Sequence, residues 1–254
     1  MSHPTTVLDR PTPLSAVAVI PSPSEPEPLR LAIANLKGGT GKSTSAWMLL
    51  CELTRRGHRV LGIDADPVSQ TLADCYRTAI ANGYPMPFEV LSWPSATGLV
   101  DGVRMAAAER RATAVVIDVG GDGGGGHEAT AIFDQAALYA EKLLIPAAPT
   151  PPDLRRVMAT FLAAARVNSL SPIDPHVLLV RYKTTARSEA AGRLWLAELE
   201  TPWGGVGLPV LDAGIPDAEI IPRLFGHLVD DTGRYADVVD ELYPHLAAER
   251  TTAA

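Results

Sequence analysis

The sequence predicts an α/β protein with a mostly parallel β-sheet and helices on both faces. Short apolar runs alternate along the chain with segments of helix length, which is the pattern of strands joined by crossover helices. One of these junctions is a glycine-rich turn between an apolar run and a helix, the arrangement of a phosphate-binding loop. A chain of 254 residues, 46% of them hydrophobic, can bury one large core, so we expect a single folded domain.

The predicted strands are short apolar runs bounded by polar or turn residues. They cover residues 31–36, 59–63, 114–117, 142–146, 176–181 and 208–211. Helical spacing of apolar residues predicts helices at 43–56, 99–111, 153–167, 188–199 and 235–248, with two more after Thr71 and around 128–139. In open parallel sheets, ligands bind at the carboxyl ends of the strands, and we expect the functional residues there.

The ends of the chain and its composition limit the class of protein. Residues 1–29 contain seven prolines and predict a disordered tail, followed by a folded domain at 30–250. No apolar run approaches the roughly eighteen residues of a membrane span, and the tail lacks the pattern of a signal peptide. Cys51 and Cys75 have neither metal-site spacing nor the pattern of a disulfide framework. We therefore expect a soluble protein in a reducing cytoplasm.

Residues 37–44 form the glycine-rich turn, with the sequence K-G-G-T-G-K-S-T. Such a turn directs backbone N–H groups inward at a helix N-terminus, where the helix dipole also favours an anion. The glycines allow close backbone approach, Lys42 can reach the β- and γ-phosphates of ATP, and the Ser43 hydroxyl can ligate Mg²⁺. The sequence therefore predicts an ATP-binding loop formed by Gly38, Gly39, Thr40, Gly41, Lys42, Ser43 and Thr44.

Carboxylates follow two of the predicted strands. Asp64 and Asp66 come at the end of strand 59–63, and Asp118 ends strand 114–117. Because parallel strands end at one edge of the sheet, these side chains should lie beside the phosphate-binding loop. Asp118 has the position of a Walker B acid, which holds Mg²⁺ through water while Ser43 ligates the ion directly. The predicted fold is therefore that of a P-loop NTPase.

The motifs together carry a family resemblance. The loop has Leu36 where the ordinary pattern has glycine, and a second lysine, Lys37, follows. With the later V-L-G-I-D-A-D-P, V-V-I-D, L-L-I-P and G-I-P-D, it resembles the deviant Walker A ATPases of the ParA/MinD group. The resemblance covers nearly everything after Leu31 and is closest to ParA-like partition ATPases.

The resemblance implies a dimeric ATPase. Two subunits would sandwich two ATP molecules, and Lys37 would reach into the partner's site as a catalytic cation alongside Lys42. Asp66 matches the acid that positions the attacking water, and Asp64 the acid near the Mg²⁺ shell. The G-I-P-D motif implies nucleotide contacts at Pro216 and Asp217.

Two segments depart from the ParA pattern. Many ParA proteins read D-P-Q where this chain has D-P-V-S-Q at residues 66–70, and many read D-T-P-P where this chain continues from Asp118 with V-G-G-D-G-G-G-G-H. Six glycines in place of two prolines raise the entropy cost of ordering the second segment. We expect this segment to be mobile without nucleotide and to become ordered in the ATP dimer.

The resemblance also implies partners. ParA-type ATPases commonly bind nonspecific DNA as ATP dimers, and a ParB-like adaptor stimulates their hydrolysis. A net charge of −7 means that DNA binding would need a local basic patch, and a solvated helix face is an equal alternative for the candidate residues. The candidate DNA contacts are Arg181, Lys183, Arg187, Arg193 and Arg223.

Other functions of the superfamily fit the sequence less well. The C-terminal helix is too acidic for a membrane-binding amphipathic tail, and no cysteine lies beside Asp118 to hold an iron–sulfur cluster. Biosynthetic ligases of this superfamily generally lack the second lysine. The resemblance therefore implies plasmid or chromosome partition by a nucleoid-associated ATPase, and the alternative is a ParA-like ATPase that positions a protein cargo or serves conjugation.

Overall fold

The fold is a six-stranded parallel sheet, seen in a computed structural model that describes residues 27–121, 126–180, 185–200, 205–216 and 226–247. In chain order the strands are β1 (Leu29–Ile33), β2 (Val60–Asp64), β3 (Glu89–Ser92), β4 (Ala114–Asp118), β5 (Lys142–Ala147) and β6 (Asp174–Leu179). Their order across the sheet is β3-β2-β4-β1-β5-β6, and every neighbouring pair is parallel. The predicted fold class is confirmed.

Helices cover both faces of the sheet. Those in the described residues are α1 (Lys42–Arg55), α2 (Thr71–Ala81), α3 (Leu99–Glu109), α4 (Gly126–Tyr139), α5 (Pro151–Asn168), α6 (Ala186–Ala197) and α7 (Tyr235–Leu242). Alternate residues of each strand point to opposite faces, so Leu31 and Ile33 pack with α1, α2 and α7, whereas Ala32 packs with α3 to α6. The result is two apolar cores, one on each face of the sheet.

Two predictions of strands were wrong. The sequence reasoning missed β3, a four-residue edge strand with only one fully buried side chain, Val90. Residues 208–211 were predicted as a strand but form only a single bridge, between Val177 and Val210. The Leu211 N–H still donates to Val177 of β6, but beyond it the Leu211 and Asp212 carbonyls accept from Arg193 of α6, and the Asp212 and Ala213 N–H groups donate to Glu241 of α7. A strand needs continuous backbone pairing, which these side chains replace.

Several boundaries also differ from the prediction. β1 begins at Leu29, the last residue of the predicted tail, and the remaining prediction for residues 1–26 lies outside the described residues. α7 was predicted to continue to Ala248 but ends at Leu242, since Pro244 cannot donate a helical hydrogen bond. Among the described residues, no helix combines the length and apolar character that crossing a membrane requires.

Candidate active site

The sheet register places the predicted carboxylates together. Asp64 at the end of β2 pairs with Asp118 at the end of β4, and Asp118 pairs on its other side with Ile33 of β1. The glycine-rich loop follows β1 directly, so it leaves the sheet next to Asp118. The prediction that these residues share one edge of the sheet is confirmed by this pairing.

Side chains outside the motif fix the start of the loop. The Asn35 side-chain amide donates to the Pro146 carbonyl over 2.8 Å, and its oxygen accepts from the Lys37 backbone N–H at 2.9 Å. The Leu36 N–H donates to the Thr160 hydroxyl at 3.3 Å. Sequence reasoning missed Asn35 and Thr160. The signal for Asn35 was a polar residue at the end of a buried apolar run.

The loop then turns into α1 with the geometry of an anion site. Gly39 and Gly41 have φ of 72° and 88°, the left-handed region that glycine adopts without strain. α1 begins at Lys42, and its N-cap residue, Gly41, has no side chain that could cap the first turn. The N–H groups of that turn that lack a helical partner can therefore bind a phosphate.

An open cleft of about 340 Å³ lies over this turn. Its lining includes Thr40, whose hydroxyl is buried and has no hydrogen-bond partner among the described residues. Such a buried hydroxyl is a free donor for a bound group. The residues that line the cleft are Gly38, Gly39, Thr40, Gly41, Lys42, Ser43, Thr44, Asp66, Val68, Ser69, Thr71 and Gly121.

Lys42 is the cation of the cleft. Its side chain is buried, and its ammonium donates to the Lys37 carbonyl at 3.0 Å. Burial lowers the pKa of Lys42, while the nearby carboxylates of Asp118 and Asp66 oppose that shift. An ammonium held in place within a partly dehydrated cleft attracts phosphate oxygens more strongly than a hydrated one would.

Asp118 fits a metal site. It is 1% exposed, and neither carboxylate oxygen has a well-formed hydrogen bond from the described residues. Burial raises the pKa of Asp118, the Asp64 carboxylate adds to this, and the nearby Ser43 hydroxyl and Lys42 ammonium act against it. A buried carboxylate without partners gains most from a bound cation. Ser43 and Asp118 are therefore suited to hold Mg²⁺.

Both carboxylate oxygens of Asp64 already have hydrogen-bond donors from the protein backbone. Its two oxygens accept hydrogen bonds from the N–H groups of Asp66 at 3.0 Å and Ala73 at 2.8 Å. Burial raises the pKa of Asp64, and these backbone hydrogen bonds partly offset the rise. Through these contacts Asp64 connects the end of β2 to the start of α2. Its position near the Mg²⁺ shell stays a prediction.

Lys37 lies outside the lining of its own cleft. Its ammonium, with the side chain 40% exposed, donates to Asp153 Oδ1 of α5 at 2.5 Å. The Thr150 hydroxyl donates to the other oxygen of Asp153. The two lysines of the loop thus have different environments, one in the cleft and the other on the adjacent surface.

The loop after β4 is packed closely against the phosphate-binding loop. A Cβ atom on Gly121 would lie 3.0 Å from the Gly38 nitrogen and 3.1 Å from the Lys42 ammonium. The start of the glycine-rich segment therefore has little free space around it. Its centre, residues 122–125, lies outside the described residues, so the predicted mobility of this segment stays a prediction.

The G-I-P-D motif at residues 214–217 is described only in part. Ile215 bridges to Val180, whose side chain lies beside Gly41 of the phosphate-binding loop. Pro216 directly follows Ile215 and is half-buried. Asp217 is outside the described residues.

The predicted basic patch is divided by the structure. Arg187 is exposed at the start of α6, but the Arg193 guanidinium donates to the Leu211 carbonyl at 2.7 Å, the Asp212 carbonyl at 3.1 Å and Glu189 at 2.9 Å. Arg193 therefore fixes the segment before Pro216. Arg181, Lys183 and Arg223 lie outside the described residues. Two exposed arginines that the sequence reasoning missed, Arg155 and Arg156, lie at the start of α5.

The sheet, the loop and the cleft define an α/β nucleotide-binding protein with a phosphate-binding loop. The chain belongs to the CobQ/CobB/MinD/ParA nucleotide-binding domain family, whose sequence model matches residues 31–227. The family and the fold predicted from the sequence are thereby confirmed. The family name covers proteins with several activities, and membership alone does not choose among them.

Individual relatives agree with the assignment. The chain is 31% identical to the chromosome-partitioning ATPase Soj of Thermus thermophilus over 140 residues, 54% of this chain and 51% of Soj. It thus spans about half the length of that relative. Its fold is similar to the septum site-determining protein MinD of Pyrococcus horikoshii in complex with Mg-ADP, with a TM-score of 0.61 and 18% identity over 86% of this chain and 98% of MinD. A plasmid partition protein of Borrelia burgdorferi gives a TM-score of 0.55 and 15% identity over 80% and 97% of the two chains.

Proposed function

We propose that this chain is an ATPase that dimerises on binding ATP and segregates or positions DNA, as in plasmid or chromosome partition. The observation that carries the proposal is the position of Lys37, whose ammonium lies outside its own cleft on an accessible surface. A cation in this position can reach a phosphate held by a second copy of the chain. Family membership and the similarity to Soj support the same conclusion.

The cleft residues have distinct roles in this proposal. Bound Mg·ATP supplies the γ-phosphoryl group that is transferred to water, together with the metal charge that favours the transfer. Lys42 holds the phosphates, Ser43 and Asp118 hold the metal, and the N–H groups at the start of α1 bind phosphate oxygens. Asp66, in the cleft wall, accepts a hydrogen bond from the attacking water and so orients it.

Lys37 couples hydrolysis to dimerisation. A cation that reaches the transferred phosphoryl group from a partner accelerates comparable reactions about 10³- to 10⁵-fold. The Lys37 ammonium has three N–H donors and uses one of them on Asp153 at 2.5 Å, so the others can bind a phosphate in the partner's cleft. Hydrolysis is therefore slow in the monomer and rises when two copies associate.

DNA binding is the less direct part of the proposal. The chain has a net charge of −7, so the contact must be a local surface. Arg155 and Arg156 of α5 and Arg187 of α6 are exposed arginines near the carboxyl edge of the sheet, where both helices begin. Contacts of this kind bind phosphates without reading sequence. Arg193 is left out of this surface, because its guanidinium binds the backbone of the segment before Pro216.

A ParA-like ATPase that positions a protein cargo or serves conjugation is the second candidate. The nucleotide-binding half would be the same, and an adaptor that stimulates hydrolysis, ParB-like or other, would be expected in both cases. Only the first candidate binds DNA directly. Direct binding would place that ATPase on the nucleoid, in the cytoplasm.

A DNA-retention assay separates the two candidates. The full chain is applied to immobilised nonspecific duplex DNA with ATP, with ADP and without nucleotide, each at two salt concentrations. For two patches that together neutralise about four phosphates, log K should fall with log salt at a slope near −3.6. Replacing Arg155, Arg156 and Arg187 by alanine should reduce the slope. Binding that is independent of ATP, or no binding at all, would contradict the partition function and favour a protein cargo.

A further inference from the structure

Asp66 is held by its own loop in one position. Its Oδ1 accepts from the backbone N–H of Val68 at 2.8 Å and of Ser69 at 3.1 Å. Its Oδ2 accepts from the Ser69 hydroxyl at 2.6 Å. Asp66, Val68 and Ser69 all line the cleft. The carboxylate therefore has a defined orientation before any nucleotide binds.

Thr71 fixes the direction of the Ser69 hydroxyl. The Thr71 hydroxyl donates to Ser69 Oγ at 3.3 Å, and Ser69 in turn donates to Asp66. Ser69 Oγ accepts the hydrogen bond from Thr71 and has one hydrogen of its own to donate. The contact with Thr71 therefore orients the Ser69 hydrogen toward the Asp66 carboxylate.

Gly120 makes room for the Asp66 carboxylate on the opposite side. A Cβ atom on Gly120 would lie 2.8 Å from Asp66 Cγ and 2.9 Å from Oδ1, closer than real Cβ atoms come. Any other residue at position 120 would therefore push the Asp66 side chain away. The ParA pattern D-T-P-P has proline at this position, so the arrangement depends on a departure of this chain from the pattern.

We propose that Ser69 and Gly120 are positioning residues that together hold the Asp66 carboxylate in the cleft wall for ATP hydrolysis. Both lie in the two segments where the sequence departs from the ParA pattern, so the two departures form one structural unit. Each carboxylate oxygen can accept two hydrogen bonds, and within the described residues Oδ2 accepts one, from Ser69. Its second lone pair is left for the attacking water. The inference rests on the proposed role of Asp66.

The test of Ser69 compares turnover with binding in the full chain. Ser69→Ala should lower kcat for ATP about tenfold, the effect of one hydrogen bond to a charged group, and leave the Kd for ATP unchanged. Ser69→Thr keeps the hydroxyl and should restore most of the rate. The matched control is Ser169→Ala, which removes an exposed hydroxyl from the end of α5. An increased Kd with unchanged kcat in Ser69→Ala would overturn the proposal, since Ser69 would then serve the nucleotide itself.

The test of Gly120 uses the Asp66→Ala background. Gly120→Ala should lower both kcat and the Tm in the wild-type chain, because the new methyl group displaces the carboxylate. In Asp66→Ala the carboxylate atoms are absent and the 3.1 Å approach to the residue 66 Cα remains, so adding Gly120→Ala should lower the Tm by much less than in the wild-type chain. Adding Ser69→Ala to Asp66→Ala should leave the residual rate of ATP hydrolysis unchanged. Equal losses of Tm with and without the carboxylate would overturn the role of Gly120.

The same variants separate this inference from the proposed role of Asp66. If Asp66→Ala hydrolyses ATP at the wild-type rate, the role of Asp66 is wrong and the positioning proposal fails with it. If Asp66→Ala is inactive while Ser69→Ala and Gly120→Ala turn over normally, the role of Asp66 stands and the positioning proposal alone is wrong.

Discussion

At the scale of single residues, three aspartates at one edge of the sheet have three different environments. Asp64 is buried and braced by backbone N–H groups, Asp66 is held by its own loop, and Asp118 is buried without a hydrogen-bond partner among the described residues. The sequence and the family resemblance predict a different role for each of them. Their contacts add that Asp64 and Asp66 already accept hydrogen bonds within the chain, whereas Asp118 has no such partner among the described residues.

Asp118→Asn should separate folding from metal binding. The burial of the Asp118 carboxylate outweighs the opposing effects of the Ser43 hydroxyl and the Lys42 ammonium, so a neutral amide in its place should raise the Tm without nucleotide by about 2–4 °C for each kcal/mol gained. The further rise in Tm that Mg²⁺ adds in the presence of ATP should be lost. Calorimetry with and without Mg·ATP measures both effects.

Asp101→Asn, at an exposed position of α3, is the control for this change. It should alter neither the Tm nor the response to Mg²⁺. A variant of Asp118 that kept the full Mg²⁺ response would contradict the assignment of this residue to the metal.

At the scale of elements, α1 links the cleft to the C-terminal helix. The buried Glu52 carboxylate accepts hydrogen bonds from Arg55, Arg56 and Thr232, at 2.6–2.8 Å. Arg56 also binds Asp240 of α7 at 2.7 Å, and near the other end of α1 the Ser45 hydroxyl contacts the buried Tyr235 hydroxyl at 3.1 Å. The helix that begins at the phosphate site is thus fixed to α7 near both ends.

Glu52→Ala should destabilise the fold strongly. It removes one of the two carboxylates that Arg56 binds, Asp240 being the other, and takes away the acceptor of the buried Thr232 hydroxyl, a change that costs about 1–3 kcal/mol of the free energy of unfolding. Urea unfolding at pH 7 measures the loss. Glu198→Ala, at an exposed position after α6, should change the free energy of unfolding by no more than about 0.5 kcal/mol.

The contribution of Glu52 should also depend on pH. Burial raises its pKa, but the hydrogen bonds from Arg55, Thr232 and Arg56 outweigh burial and leave the pKa below the ordinary value of 4.5. A carboxyl group with a lowered folded-state pKa stabilises the fold fully above its unfolded-state pKa, and the contribution is lost as the pH falls through the folded-state pKa. The difference between wild type and Glu52→Ala should therefore be full at pH 7 and shrink below about pH 4. A constant difference down to pH 3 would contradict this account.

At the scale of the whole molecule, replacing one or the other lysine of the loop should impair different steps of the ATPase cycle. Lys42 lines the cleft, where we propose that it holds phosphates, whereas Lys37 lies on the surface beside Asp153. A monomer can therefore bind nucleotide without Lys37, but the proposed dimer cannot hydrolyse it efficiently.

Lys37→Ala should keep measurable ATP binding and lose both the ATP-dependent dimer and turnover. Lys42→Ala should lose ATP binding itself. Fluorescent-nucleotide titration measures binding, and light scattering with and without ATP measures the dimer. Normal turnover by Lys37→Ala would rule out action across the interface, and the matched lysine control, Lys142→Ala at the start of β5, should retain binding and dimerisation.

The sequence by itself determined the sheet, the phosphate-binding loop and the family, because these depend on local patterns: apolar runs, glycines that take a left-handed turn, and carboxylates at strand ends. It predicted the start of β1 and the end of α7 less accurately. It also missed the edge strand β3, which buries too few side chains to leave a strong apolar pattern. It also grouped Arg193 with exposed arginines, since spacing along a helix does not show which side chains have backbone partners.

Only the tertiary structure decided how distant residues act together. Asn35 and Thr160 fix the loop from elsewhere in the chain, Lys37 meets Asp153 more than a hundred residues away in sequence, and Gly120 leaves space for Asp66. Contacts of this kind depend on the packing of separate elements, which no local pattern encodes. The sequence therefore determines which chemical groups reach the cleft, and packing decides which of them are free to act on a ligand.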